Sequence, residues 1–128
     1  MGPPRPPAVR TIVAVAYDED LADRIRDALP PVHEVTEQKM FGGLAFLIGG
    51  NMVIAASGQG DVLVRVDPAE ADNLLATSNA EEAVMRGRPM RGWLRVAAAD
   101  LRTAPELERW VTLGADYAAS LPRKPPKS

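Results

Sequence analysis

The sequence predicts an α+β fold in which an antiparallel sheet of about five strands has helices on one face. Three observations predict it: apolar residues at helical spacing near both ends, short apolar or alternating runs between glycine turns in the middle, and short links between elements. The expected element order is α-β-β-β-β-α-β-α. We assign the folded domain to residues 16–121.

The first helix is predicted to begin near Asp18, because the acidic residues that follow suit the positive end of a helix. One apolar face is marked at four-residue spacing by Leu21, Ile25 and Leu29. The prolines at positions 30 and 31 end the helix, since proline cannot supply the backbone hydrogen bond that a further turn needs.

Four strand candidates follow the helix. They are residues 38–41, 44–48, 52–56 and 62–66. The second and third are separated by Gly49-Gly50-Asn51, residues that readily adopt positive φ, and make the clearest hairpin in the sequence. A further glycine turn at residues 57–60 precedes the fourth run, in which valines alternate with Leu63 and Arg65. The four runs predict a β-meander.

A second helix is predicted at Asp67-Pro68-Ala69-Glu70, because Asp67 can cap it, Pro68 suits the first helical position and Glu70 can reach back. Leu74 and Leu75 are then expected to face the core. After a polar link, residues 92–96 predict the fifth strand.

The last helix is predicted to open with a capping box at Thr103-Ala104-Pro105-Glu106. Its apolar stripe consists of Leu107, Trp110, Val111, Gly114, Tyr117, Ala118 and Leu121. Since Trp110 lies on this stripe and Phe46 in the apolar hairpin, we expect both rings to anchor the core and not to contact a ligand.

Composition limits the function. The 128 residues, 46% of them hydrophobic, are enough for one domain with its own core. The formal net charge of -2 gives no general attraction to nucleic acid or to an anionic membrane. The absence of Cys from the sequence excludes disulfides and cysteine nucleophiles and indicates a reducing compartment. We therefore expect a cytoplasmic protein without membrane association.

The sequence shows no recognisable catalytic or metal-binding pattern, and we expect no cofactor. His33 is the only histidine, and no Cys can join it in a zinc or nucleophile set. Carboxylates cluster in the first helix away from its apolar stripe and indicate a solvated face. A desolvated lysine can act as a base, but Lys39 is expected to point to solvent because its neighbour Met40 is the better candidate for burial.

The segment from residue 86 to residue 95 is basic in a chain that is acidic as a whole. It contains Arg86, Arg88, Arg91, Trp93 and Arg95 and no acid. Arginine matches the geometry of phosphate and carboxylate groups, and a tryptophan can stack beside them, so an anion, nucleic acid or acidic partner could bind here. The alternative is that Arg86 and Arg88 lie in a solvated loop while Arg91 and Arg95 pair with acids of the first helix.

Two stretches of the chain carry a family resemblance. They read Lys39-Met40-Phe41-Gly42-Gly43-Leu44-Ala45-Phe46 and Gly87-Arg88-Pro89-Met90-Arg91-Gly92-Trp93. Both resemble the N-terminal domain of the TfoX/Sxy family. Residues 16–25 and the closing helix through Leu121-Pro122 are similar to it too, so the resemblance covers nearly the whole folded body in the right order.

The resemblance implies an α+β domain without enzymatic activity or cofactor. For the founding members it implies a regulatory role in bacterial natural competence, exerted together with a cAMP-receptor-type transcription factor. Full-length competence regulators carry a second, C-terminal domain after this one. This chain stops soon after its last predicted helix, so we expect a single-domain member.

The two ends are expected to lie outside the fold. Residues 1–15 include four prolines and little that can pack, and they indicate a disordered or non-native extension. Because family-like sequence begins at Val15, we expect translation to start there. Residues 122–128, rich in Pro and Lys, are typical of a flexible tail.

Two functional hypotheses from different classes follow. The first is a non-enzymatic regulatory domain that binds an unidentified protein through the exposed sheet face or the arginine segment, without strong nucleic-acid binding. The second is an enzyme or binding protein for a small anionic ligand held by Arg88 and Arg91. An apolar pocket with a perturbed acid or base beside these two arginines would favour the second hypothesis.

Overall fold

A computed structural model describes residues 18–40, 43–57 and 60–123. In that part of the chain three α-helices accompany one six-stranded sheet. The helices are α1 (Glu19–Ala28), α2 (Pro68–Thr77) and α3 (Ala104–Ser120), with a 3-10 turn at Ala98–Asp100. The strands are β1 (Val35–Met40), β2 (Gly43–Ile48), β3 (Asn51–Ala56), β4 (Val62–Arg65), β5 (Glu81–Met85) and β6 (Arg88–Val96). The predicted α+β class and antiparallel sheet are confirmed.

The strands lie in the order β1-β2-β3-β4-β6-β5, and every neighbouring pair is antiparallel. The first four strands form the predicted meander. The sheet has one strand more than the five expected, because β5 is missing from the prediction. Its sequence, Glu81-Glu82-Ala83-Val84-Met85, begins with two acids and shows no strong apolar pattern, so its pairing with β6 and not its composition makes it a strand.

Two further strand boundaries differ from the prediction. The first strand runs over residues 35–40, not 38–41, and β6 begins at Arg88, four residues before the predicted start. In both cases the extra segment mixes apolar with polar or charged residues, and a neighbouring strand pairs with most of it. Residues 41, 58 and 59, the expected extension 1–15 with its start at Val15, and residues 124–128 of the expected tail lie outside the described residues.

Helix α1 follows the sequence prediction closely. Asp18 is the N-cap, and its carboxylate accepts a hydrogen bond from the backbone N–H of Leu21 at 3.1 Å. The buried face consists of Leu21, Ala22 and Ile25. The helix ends at Ala28, two residues before the first proline of the pair. None of the helices in the described part of the chain is long and apolar enough to cross a membrane.

The central hairpin, β2 and β3, is buried along its whole length. Gly49 and Gly50 form its two-residue turn with φ of 60° and 80°, as a type I′ turn requires. One face packs into the main core beneath the helices. The other face carries a second, smaller apolar cluster of Ala45, Leu47, Met52 and Ala55. The carbonyl of Pro122 accepts a hydrogen bond from the side chain of buried Asn51, which holds the end of α3 to this turn.

Asp67 and Thr103 cap α2 and α3 as predicted, but a reciprocal capping box forms only at α3 among the described residues. Asp67 accepts a hydrogen bond from the backbone N–H of Ala69 at 2.9 Å, with Pro68 in the first turn. Thr103 and Glu106 form a reciprocal capping box at the start of α3. These contacts are local in sequence, which is why the helix starts could be read from the residues.

Helix α3 packs onto β3 at a close approach of the two backbones. A Cβ atom at Gly114 would lie 2.4 Å from the carbonyl oxygen of Val53, so only glycine fits there. Val53 is the extra residue of a β-bulge between β2 and β3, which brings it and Ile54 into the same core. Trp110 and Phe46 are 3% and 0% exposed, as expected of core anchors.

Arg26 links α1 to β1. Its guanidinium donates to both carboxylate oxygens of Glu37 at 2.7 and 2.8 Å and to Asp23 at 2.6 Å, and it lies 5.8 Å from the centre of the Phe46 ring. The hydrogen bond from Arg26 lowers the pKa of Glu37 below its usual value, and Glu37 in turn raises the pKa of Arg26.

We predict that Gly114→Ala destabilises the protein. Alanine would normally favour a helix by about 1 kcal/mol over glycine, but here the added methyl must displace the β3 backbone, and we expect a net loss of about 1–3 kcal/mol after that gain is counted. Ala119→Gly, at an exposed position of the same helix, is the control and should lose only about 1 kcal/mol. Urea denaturation measures both. A Gly114→Ala protein as stable as the wild type would contradict the contact.

We predict that Glu37→Gln lowers the free energy of unfolding slightly at neutral pH and has no effect at acidic pH. The two side chains are 39% and 37% exposed, so the pair should contribute no more than about 1 kcal/mol. Because the folded-state pKa of Glu37 is lowered, this contribution is present at neutral pH and is lost as the pH falls through the folded-state pKa, below 4.5. Unfolding free energies of both proteins, measured from neutral to acidic pH, should converge. A constant or growing difference would contradict the pairing.

Candidate functional site

The basic segment forms a β-hairpin and not a loop. Strands β5 and β6 are joined by Arg86 and Gly87, whose φ values of 53° and 75° make a two-residue type I′ turn closed by Met85 and Arg88. The expectation of a solvated loop is therefore wrong for the backbone. It holds for the side chains of Arg86 and Arg88, which are both exposed.

A bulge in β6 separates the outer half of this hairpin from its inner half. Met90 pairs with Ala83 and Leu94 with Glu82, so residues 91–93 have no counterpart on β5. Gly92 sits in this bulge with φ of 85°, and its carbonyl accepts a hydrogen bond from the N–H of Val66 at 2.7 Å. The bulge therefore brings the chain against the end of β4 and the start of α2.

Arg91 is held by α2. Its guanidinium donates to both carboxylate oxygens of Asp72 at 3.2 Å each and to the carbonyl of Pro68 at 3.4 Å. This hydrogen bonding lowers the pKa of Asp72 and raises that of Arg91, to which the charge of Glu82 also contributes. The expectation that Arg91 pairs with an acid of the first helix is wrong, because the bulge places it beside α2.

Arg95 and Trp93 also have neighbours within the chain. The guanidinium of Arg95 lies 3.8 Å from the carboxylate of Asp61, just before β4, and not beside an acid of α1 as expected. Trp93 is half-buried, and Arg65 on the neighbouring strand lies 5.3 Å from the centre of its ring. Arg65 is also 5.5 Å from the centre of the Tyr117 ring. One face of Trp93, which was expected to stack on a bound group, is thus already covered.

Arg86 and Arg88 differ from the other arginines of the segment. Neither makes an ion pair or a side-chain hydrogen bond with any described residue, and both are exposed. Lys39, the remaining candidate, is exposed on β1, at the opposite edge of the sheet. The burial expected for Met40 concerns a side chain outside the described part of the chain. The structure therefore groups Arg86 with Arg88, which we call the hairpin tip, and leaves Lys39 apart.

Three cavities can be described from the residues that the structure covers. Their volumes are about 140, 170 and 230 Å³. The largest is lined in part by Arg26, His33 and Glu37, and none of the three is lined by an arginine of the hairpin. Among the described residues, no group of three or more His, Asp or Glu side chains is placed to hold a metal ion. The pocket that the anionic-ligand hypothesis requires is not one of these cavities.

Sequence reasoning missed three residues that shape this region: Asp72, Glu82 and Val84. Asp72 faces Arg91 only because the bulge at Gly92 brings β6 to α2, and no local sequence pattern predicts that contact. Glu82 and Val84 belong to the missed strand. The Arg86-Gly87 pair between two short runs was a hairpin signal that could have revealed it.

The profile of the TfoX N-terminal domain family matches residues 27–118, more than two thirds of the chain. The match includes both motifs that carry the resemblance, and it begins inside α1, after residues 16–25. No curated protein and no solved structure is significantly similar to the chain.

We predict that Gly92→Ala destabilises the protein more than Gly87→Ala. Both glycines have positive φ, which should cost any other residue about 1–2 kcal/mol. A Cβ atom at Gly92 would also lie 3.1 Å from the carbonyl oxygen of Val66 and 3.2 Å from Pro68 Cγ, whereas at Gly87 no atom lies within 4 Å. Urea denaturation of the two variants compares them directly. Equal losses of stability would show that the bulge tolerates a side chain.

Proposed function

The chain belongs to the TfoX N-terminal domain family, and we propose that it is a non-enzymatic regulatory domain whose hairpin tip binds an acidic surface of a partner protein. Membership of the family supports a regulatory, competence-related domain at the level of the family. The proposal adds the binding surface and the chemistry of the partner.

The observation that carries the proposal is the division of the four arginines. Arg91 and Arg95 are engaged by carboxylates of the same chain, while Arg86 and Arg88 face solvent without a partner among the described residues. The tight turn that contains Arg86 and is closed by Arg88 fixes both backbones, so less conformational entropy is lost when both bind. Guanidinium groups bind carboxylates with two parallel hydrogen bonds, which favours an acidic protein surface as the partner.

Three facts favour binding over catalysis. None of the described cavities is lined by a hairpin arginine, and the carboxylate bound by Arg91, Asp72, has a lowered pKa. A carboxylate that is more firmly ionised than usual is a poor proton donor. The family is also not known as a family of enzymes.

Nucleic acid is the weaker candidate partner. Each phosphate contact should add about -0.9 to the slope of log affinity against log salt, so the two arginines of the tip should give about -2 at most. We expect no measurable binding of a duplex oligonucleotide near physiological salt, as followed by fluorescence anisotropy. Tight binding that Arg88→Glu abolishes would overturn the proposed partner chemistry.

The main test is site-specific photocrosslinking in the organism that encodes the chain. A photoreactive amino acid at Pro89, next to the tip, should capture a defined protein with an acidic surface, whereas the same group at Thr112, exposed on α3, should not. Arg86→Glu/Arg88→Glu should abolish the capture without changing the melting temperature of the dilute, monomeric protein. Arg102→Glu/Arg109→Glu, an equal charge change at exposed sites, is the control and should leave it intact.

Capture that survives Arg86→Glu/Arg88→Glu, or that occurs equally from Thr112, would show that the tip is not the binding surface. A fall in the melting temperature with the tip variant would assign the two arginines a structural role instead.

A further inference from the structure

Strand β5 is an edge of the described sheet, paired only with β6. Val84 in this strand is 56% exposed. Apart from Val32 in the turn after α1, it is the only large hydrophobic residue so exposed among the described residues. An edge strand with an exposed apolar residue is a template for pairing with another strand.

The backbone of β5 presents its outward groups at two positions. The residues that flank a two-residue hairpin turn bond to each other, so Met85 and, two residues earlier, Ala83 direct their N–H and C=O groups to β6. The alternation then directs those of Glu82 and Val84 to the free edge. Pro89 pairs with Val84 and has no N–H to donate. This is consistent with a Val84 whose backbone groups point away from β6.

The charges of β5 and of the residue after it are complementary to those of a second, antiparallel copy of the same segment. Glu81 and Glu82 lie at the start of β5, and Arg86 follows its end. If two copies pair antiparallel with Val84 opposite Val84, Glu82 of each copy faces Arg86 of the other. A parallel pairing would place like charges together, which destabilises cross-strand pairs.

We propose that β5 pairs antiparallel with β5 of a second copy of this chain, about a two-fold axis at Val84, so that two sheets join into one. Glu82 and Val84 have the same phase along the strand and direct their backbones to the second copy, whereas Arg86, in the turn that follows β5, meets Glu82 of the other copy through its long side chain alone. The interface has two symmetric contacts of Glu82 with Arg86 and one apolar contact between the valines. A symmetric interface of this kind closes on itself and gives a dimer.

The other edge of the sheet is a poorer candidate. Strand β1 exposes Thr36, Glu37, Gln38 and Lys39 and no apolar side chain among these. Charged and polar residues on an edge oppose pairing, and Glu37 is already bound by Arg26 of its own chain. The self-complementary charges of β5 have no counterpart there.

This inference does not rest on the proposed function. Arg86 takes part in both, whereas Arg88 lies on β6 and does not face the second copy. Arg88→Glu therefore tests the acidic partner without removing a dimer contact. Loss of the dimer and loss of partner binding are thus separable results.

Sedimentation equilibrium of the full chain over a range of concentrations tests the proposal. Glu82→Arg and Arg86→Glu should each weaken the dimer about tenfold or more, because each places like charges opposite one another twice. Arg88→Glu is the matched control and should leave the dimer within about twofold, since exposed charges at a distance are screened. The double exchange Glu82→Arg/Arg86→Glu restores both opposite pairs and should restore the dimer.

Mixing the two single variants gives the sharpest result. One variant then has arginine at positions 82 and 86 and the other has glutamate at both, so the mixture should form a heterodimer that is about tenfold or more tighter than the homodimer of either variant. Circular dichroism melts establish that both are folded. A wild type that remains monomeric up to about 1 mM, or single variants that fail to associate when mixed, would overturn the proposal.

Discussion

The structure depends on the close approach of α3 to β3. Gly114 lets the helix backbone lie against the carbonyl of Val53, and from there α3 covers the central strands while Trp110 fills the core beside β6. The main core then joins this helix to α1, α2 and the inner face of the sheet. A side chain at residue 114 would hold α3 away from the sheet and loosen each of these contacts at once.

The same core supports the candidate site. Leu94 and Val96, in the inner half of β6, are fully buried, so this half is part of the core, whereas Arg86, Arg88 and Pro89 in the outer half of the hairpin are exposed. Between the two halves the bulge at Gly92 turns Arg91 to α2. The fold therefore pairs Arg91 and Arg95 with carboxylates and leaves the arginines of the hairpin tip without a partner among the described residues. Position along the hairpin, and not composition, decides which arginines are paired.

Features that depend on contacts between residues close in sequence were predicted, and features that depend on contacts between distant residues were missed. The helix start near Asp18, the caps at Asp67 and Thr103 and the turn at Gly49 depend on residues within a few positions of each other, and all were predicted. The partner of Arg91 lies 19 positions away and depends on a bulge, so it could not be predicted from local pattern.

Strand β5 was missed for a related reason. Its residues are mostly polar or small, and it becomes a strand only because β6 pairs with it. The basic segment was singled out from composition alone, but composition could not show which of its arginines are engaged. The carboxylates that decide this belong to α2 and to the residue before β4.

The central claim is that the fold divides the arginines into those paired with carboxylates and those without a partner among the described residues. Reaction of the dilute protein with an arginine-specific dicarbonyl reagent, followed residue by residue with mass spectrometry, tests it most directly. Arg86 and Arg88 should react first, and Arg26 and Arg91, each bound to carboxylates, should react much more slowly. Equal rates at all four positions, or a fast reaction at Arg91, would contradict the account.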